Sequence, residues 1–190
     1  EVTRLRFRHH GYDLSPEKME EKHRRTTSLL LENLTEEPDN ALCRMQLSTS
    51  YSMHGEYEKA IEEGMHAIRL LQARGDHDPH FATAFFNVAH GHFMLGRPDE
   101  AEGFCLAGLR YFDKDLNAYH FLAALYLRNQ EWKKCREAAL KYLDVRALFD
   151  ADPEEMSGIY FSSYGKRHEV LFALASASFM ENDCNEAEAG

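Results

Sequence analysis

Apolar residues recur every three to four positions through most of this chain, the spacing that lines one face of an α-helix. The pattern breaks at short turns where Gly, Pro, Asn or Asp gather. The segment from Ala41 to Leu71 carries two such runs around Gly55-Glu56-Tyr57. Ala82 to Phe112 carries two around Gly96-Arg97-Pro98, and Leu116 to Arg146 two around Gln130-Glu131-Trp132. A fourth copy opens at His168 and reaches a turn-like Asn182-Asp183-Cys184 before its second run is complete. Laid over one another, the copies agree in their small residues. Ser48, Ala89, Ala123 and Ala175 sit in the first helix, each after a large apolar residue, while Ala60, Ala101, Cys135 and Ala187 open the second.

Small residues at facing positions let two helices approach closely, with Leu and aromatic side chains filling the space beside them. A larger side chain at Ala60 or Ala101 would overpack the crossing at a cost of about 1–3 kcal/mol. Gly55 and Gly96 follow the last turn of a helix, where a left-handed residue is cheap only for Gly. Pro98 suits a first helical position, whose N–H lacks a partner anyway. A single hairpin cannot bury its apolar face, so neighbours must stack. The expected fold is all-α: antiparallel helix pairs stacked into a right-handed superhelix, with units at 38–74, 79–113 and 116–147 and a partial one at 166–190.

These residues resemble the tetratricopeptide repeat (TPR), whose period is about 34 residues with small residues at fixed places. Gly55, Tyr57, Ala60, Ala89, Gly96, Ala101, Ala123, Trp132, Cys135, Ala175 and Ala187 are the matching structural positions. Gln130 and Asn182 stand where the family has Gly. The spacing is uneven: 41 residues separate Ala60 from Ala101, and 52 separate Cys135 from Ala187. The first surplus is the polar stretch Ala73 to His80. The second predicts an inserted loop at 148–165, which either packs its aromatics on the stack or serves as a lid.

Upstream, Ser15-Pro16-Glu17 reads as a helix start, and a helix over 15–35 would cap the array through Met19, Leu30, Leu31 and Leu34. Residues 1–14 alternate as an extended arm. The stretch RFRHHGYD, then Lys22 and Arg25, Leu29-Leu30-Leu31-Glu32 and Pro38-Asp39-Asn40 resembles a second pattern. It is similar to the junction between catalytic domain and trailing repeats in bacterial family-two glycosyltransferases. His9, Gly11 and Tyr12 match, whereas His10 replaces a Tyr and Thr26 stands where Asn is usual. That resemblance implies a non-catalytic C-terminal region of such an enzyme, consistent with a chain that starts at Glu1 rather than Met. The parent would use a sugar nucleotide and a divalent metal, with His9 a metal-binding candidate only there.

Charge narrows the partners. Twenty-two Lys and Arg against 32 Asp and Glu leave a net charge of −10, whereas a nucleic-acid partner requires a basic patch. No apolar run is long enough to span a bilayer. Cys43, Cys105, Cys135 and Cys184 form no Cys-x-x-Cys pair and fall within helical patterns, which predicts free thiols and a cytoplasmic setting. No phosphate loop, Gly-x-Ser-x-Gly elbow or His-Glu-x-x-His helix is present. His90 and His92 are two apart and so on different sides of a helix; His77 and His80 lie in a loop, and His66 and His120 are isolated. Asp150-Ala151-Asp152 reads as a solvated acidic pair. Neither catalytic residues nor a cofactor or metal is therefore expected in this chain.

The TPR resemblance implies that the first helix of each pair lines a concave groove. Matching positions place Met45, Thr49 and Met53 there, then Phe86, His90, Phe93 and Met94, then His120, Ala124, Leu127 and Arg128, and last Phe172, Ser176, Phe179 and Met180. The basic clamp of co-chaperone members has no counterpart among them. A Met- and Phe-rich groove suits an apolar helix or peptide. The expected function is a protein-interaction scaffold attached to a glycosyltransferase, recruiting proteins or mediating self-association. The alternative is a free-standing adaptor.

Overall fold

The computed structural model describes residues 15–76, 78–152, 154 and 161–189, with side chains as far as Glu181. The arm at 1–14, with His9, lies outside the described residues, as do His77 and the side chain of Ala187. Among the described residues the regular elements are all helical: α1 (Pro16–Glu36), α2 (Ala41–Met53), α3 (Tyr57–Arg74), α4 (Ala82–Met94), α5 (Pro98–Tyr111), α6 (Leu116–Arg128), α7 (Trp132–Ala151) and α8 (Arg167–Ala189). A 3-10 turn, Pro79–Phe81, leads into α4.

Helices α2 and α3, α4 and α5, and α6 and α7 form three antiparallel hairpins, each turning where the sequence predicts. Gly55 and Gly96 take φ of 76° and 75°. Gln130 adopts the same left-handed conformation, φ 61°, without the freedom of Gly. The small residues behave as the register requires: Ala60, Ala89, Ala101, Ser48 and Cys135 are all 0% exposed. Ser48 Oγ donates to the Ala60 carbonyl across its hairpin at 2.6 Å. In the third hairpin the direction reverses, and Cys135 Sγ on the second helix donates to the Ala123 carbonyl on the first at 3.3 Å. Gly64 sits at a close approach of α3 to α4 and α2. A Cβ there would stand 2.6 Å from Val88 Cγ2 and 3.0 Å from Ser48 Oγ.

The core falls into three clusters along the stack. Its largest cluster joins Leu122, Tyr126, Tyr142, Phe149 and Val170, so α6, α7 and α8 share it. The starts of α2 and α6 are fixed by side-chain caps. Asn40 accepts from the Cys43 amide at 3.0 Å, and Asp115 accepts from Asn117 and Ala118 at 2.8 and 3.3 Å. Ser15 occupies the cap position of α1 without a side-chain cap bond. Gly75, a stop signal the sequence reading overlooked, ends α3 in the left-handed region.

Several expectations are corrected. Helix α8 continues through Asn182-Asp183-Cys184, where a turn was expected, so no second helix folds back within the fourth copy. A turn there would need a left-handed residue with no packed hairpin to hold it. Ala175 is consequently exposed, unlike its counterparts, and Leu174 is only half-buried. The predicted loop at 148–165 begins later, because α7 runs to Ala151. Phe161 from that stretch is buried and stacks on Phe149 at 5.4 Å. Asp150 belongs to α7 and accepts from the Tyr164 hydroxyl and from Arg146, so it is not simply solvated. On α1, His23, Thr27, Leu30 and Leu34 form the packing face, whereas Leu31 is 45% exposed.

Candidate functional site: the face of the first helices

Helix α2 packs beside α4 and α6 beside α8, and Phe121 of α6 reaches across to α4. Between α4 and α6 lies an aromatic cluster. Phe121 stands edge-on to Phe86 at 6.1 Å and to Phe93 at 5.2 Å. His90 stacks on Phe86 at 6.2 Å, and Tyr57 meets it edge-on at 5.9 Å. The Arg128 guanidinium sits 5.3 Å above the Phe93 ring. Such edge-to-face and cation–π contacts fix ring orientation while leaving faces open to a partner. Phe86, Phe93 and Phe121 are half-buried, which is the condition of a surface rather than a sealed core.

The predicted groove residues do not all come together there. Met45 is 6% exposed and packs in the core with Ile68 and Phe85, so it is no part of the surface. Thr49 is tied down by its neighbours, donating to the Met45 carbonyl at 3.0 Å and accepting from Asn87 at 2.8 Å. Met53 and Met94 are 54% and 47% exposed, at the turn ends of α2 and α4. On α8, Phe172 and Phe179 are 67% and 66% exposed. His120 pairs with Glu169 at 2.9 Å, joining α6 to α8.

His90 and His92 face opposite ways, as their spacing implies. His90 meets Ser52 Oγ of α2 at 3.0 Å, and burial lowers its pKa from the ordinary imidazole value. His92 stacks on Phe104 at 5.3 Å on the side of α5, and burial with the nearby Arg97 lowers its pKa as well. Both imidazoles are thereby biased toward the neutral form. Among the described residues, no three His, Cys, Asp or Glu side chains converge as metal ligands would. Burial raises the Cys105 thiol's pKa and moves that of Cys135 to about 11, so neither is poised as a thiolate. No helix among the described residues is long and apolar enough to cross a membrane.

Sequence reasoning missed two features. Phe121 joins the cluster, although register alone points to its neighbour His120; it faces α4, as the matching residue Asn87 faces α2. His23 is 7% exposed, bonds Ser50 Oγ and Glu56 Oε1 at 2.9 Å each, and stacks on His54 at 3.6 Å. Its place in the spacing His23, Thr27, Leu30, Leu34 was the available signal.

The sequence matches no protein-family model, and no curated protein gives a significant match. Among solved structures the chain is similar to a crystal structure of MamA, with a TM-score of 0.58 and 18% identity over 90% of this chain and 95% of that one. It is also similar to the first TPR domain of human RPAP3, with a TM-score of 0.51 and 20% identity over 74% of this chain and 97% of the other. The MamA RS-1 ArsTM double mutant gives 0.52 and 15% over 88% and 96%. Likeness at this level establishes the fold, an all-α TPR-like superhelix. None of these proteins is named as a glycosyltransferase.

Proposed function

We propose that this chain is a protein-interaction scaffold whose concave face takes an apolar peptide or helix from another protein. The observation that carries this reading is the half-buried cluster of Phe86, Phe93 and Phe121, continued on α8 by the exposed Phe172 and Phe179. Monomeric proteins rarely expose contiguous apolar surface without a use for it. The reading needs no cofactor. A net charge of −10 supports a protein partner over nucleic acid. Free, buried Cys43, Cys105 and Cys135 support a reducing, cytoplasmic setting. The test is recovery of partner proteins by the chain carrying Phe86→Ala and Phe93→Ala. Reduced recovery with unchanged helicity is expected, and unchanged recovery removes the reading.

Two settings fit this role equally. In one the chain works as a free-standing adaptor; in the other it is the repeat region of a bacterial family-two glycosyltransferase. The second rests on the motif around His9, Gly11 and Tyr12 and on Pro38-Asp39-Asn40. Reading the flanking gene decides between them. An upstream sugar-nucleotide-binding domain ending at residues 1–14 supports the second, and a start codon directly before Glu1 removes it.

A further inference from the structure

The first helices meet in successive seams, and one position in each helix faces the helix before it. That position is Asn87 in α4, Phe121 in α6 and Ala173 in α8. In the α2–α4 seam, Asn87 Nδ2 donates to Thr49 Oγ1 at 2.8 Å, and Ser52 meets His90 at 3.0 Å. In the α4–α6 seam the Phe121 ring fills the space between Phe86 and Phe93. In the α6–α8 seam Ala173 leaves that space open. A cleft of about 320 Å³ lies there, walled by Ala124 and Leu127 on α6 and by Val170 and Phe172 on α8. Its volume is at the lower end of ligand sites, which run from about 300 Å³ upward.

We propose that this cleft receives one aromatic or large aliphatic side chain of the partner, and that Arg128 takes a carboxylate of the same segment. The inference rests on the concave-face reading and names what that face recognises. Arg128 is the distinguishing charge. Its guanidinium is held against the Phe93 ring, and no carboxylate pairs with it among the described residues. On α8, Glu169 is engaged with Lys166 and His120, and Glu181 with Arg136. A planar donor fork fixed by stacking is suited to a carboxylate. Arg128 points toward α4 and the cleft lies toward α8, so a peptide joining them crosses α6. A helix is about 10 Å wide, or about three residues of extended chain. The occupant is therefore a short segment with an apolar anchor and an acidic residue about three positions away.

The probes are two acetylated, amidated octapeptides of Gly and Ser, one carrying Phe and then Asp three residues later, the other the reverse order. Each is titrated onto the isotope-labelled chain while backbone amide shifts are followed. Shifts concentrated at Ala124, Arg128, Phe172 and Ala173 are expected with one of the two orders. Replacing the peptide's Asp by Lys should weaken binding about tenfold, the loss of one charge-assisted hydrogen bond. Arg128→Gln should abolish that Asp-over-Lys preference while leaving the dependence on Phe. Ala124→Phe, at an exposed position, should fill the cleft and weaken binding about tenfold or more without lowering the melting temperature. Shifts confined to Phe86 and Phe93 would overturn the cleft and leave the concave face standing. No shift with either peptide would overturn the inference, while recovery of partners by the Phe86→Ala, Phe93→Ala chain judges the wider reading separately.

Discussion

Helices α4 and α8 carry the same residue type in the same register, Ala89 in one and Ala175 in the other, yet Ala89 is 0% exposed and Ala175 faces solvent. The side of each that looks toward the preceding helices is buried alike: Ala84 at 0% and Val170 at 1%. The difference lies on the opposite side, where α4 packs its Phe85 and Ala89 against α5 and α8 has no folded-back partner among the described residues. Phe85, 5% exposed, is matched by Leu171 at 41%. Burial in this fold is thus not a property of a helix sequence but of how many neighbours the hairpin supplies, as expected for a quasi-one-dimensional stack.

Truncation should show the contrast most strongly. Leu122→Ala removes a side chain 2% exposed between α6 and α7 and should cost about 2–5 kcal/mol of unfolding free energy by denaturant titration. Leu174→Ala, the matching change on α8, should cost less than half as much. Equal losses would mean that α8 is packed on both sides. Enlargement gives the next effect. Ala89→Leu should destabilise by about 1–3 kcal/mol, while Ala175→Leu should stay within about 0.5 kcal/mol.

The start of α6 offers a pH probe that the exposed end of α8 lacks. Asp115 is buried, and burial outweighs its cap bonds to move its pKa up to about 6. The folded chain then holds that proton more tightly than the unfolded chain. The stabilisation is complete below the ordinary carboxyl value of 3.8 and is lost as pH rises through about 6. Asp115→Asn keeps a good cap without the charge. It should remove this pH dependence and be more stable than the parent at pH 7, measured by thermal unfolding across that range. A parent whose stability instead rises between pH 4 and 6 would contradict the placement of Asp115.

Turn chemistry gives the smallest effect. Gln130→Gly should relieve a left-handed non-Gly residue and stabilise by about 0.5–1 kcal/mol. Asn182→Gly lies within continuous helix and should instead lower helicity by circular dichroism. Stabilisation by Asn182→Gly would indicate a turn there after all.

These cases also show what was legible in the sequence. The three hairpins were, because Gly55, Gly96, Pro98 and the small residues each state a local requirement that only one geometry meets. Gln130 was read correctly as a turn because its flanking helices pack well enough to impose φ 61°. The same reasoning failed at Asn182, since a pattern cannot show whether a packed partner exists to impose it. Register grouped Phe86, Phe93 and Arg128 on one face, and Phe121 meets both Phe rings while Arg128 lies over Phe93. Register misplaced Met45, because a long flexible side chain can turn into the core from a position that faces outward on average. Phe121 and the open seam at Ala173 were hidden for a related reason: both depend on how one helix meets the helix two elements before it.

Thiol reactivity tests the central contrast most directly. Ala89→Cys and Ala175→Cys are each placed in a chain carrying Cys184→Ser, and alkylation is followed under native conditions. The account predicts that the thiol at position 175 reacts freely, while the one at 89 reacts only as fast as the stack opens. Equal protection of the two thiols would mean that a helix covers α8 as α5 covers α4, and would contradict it.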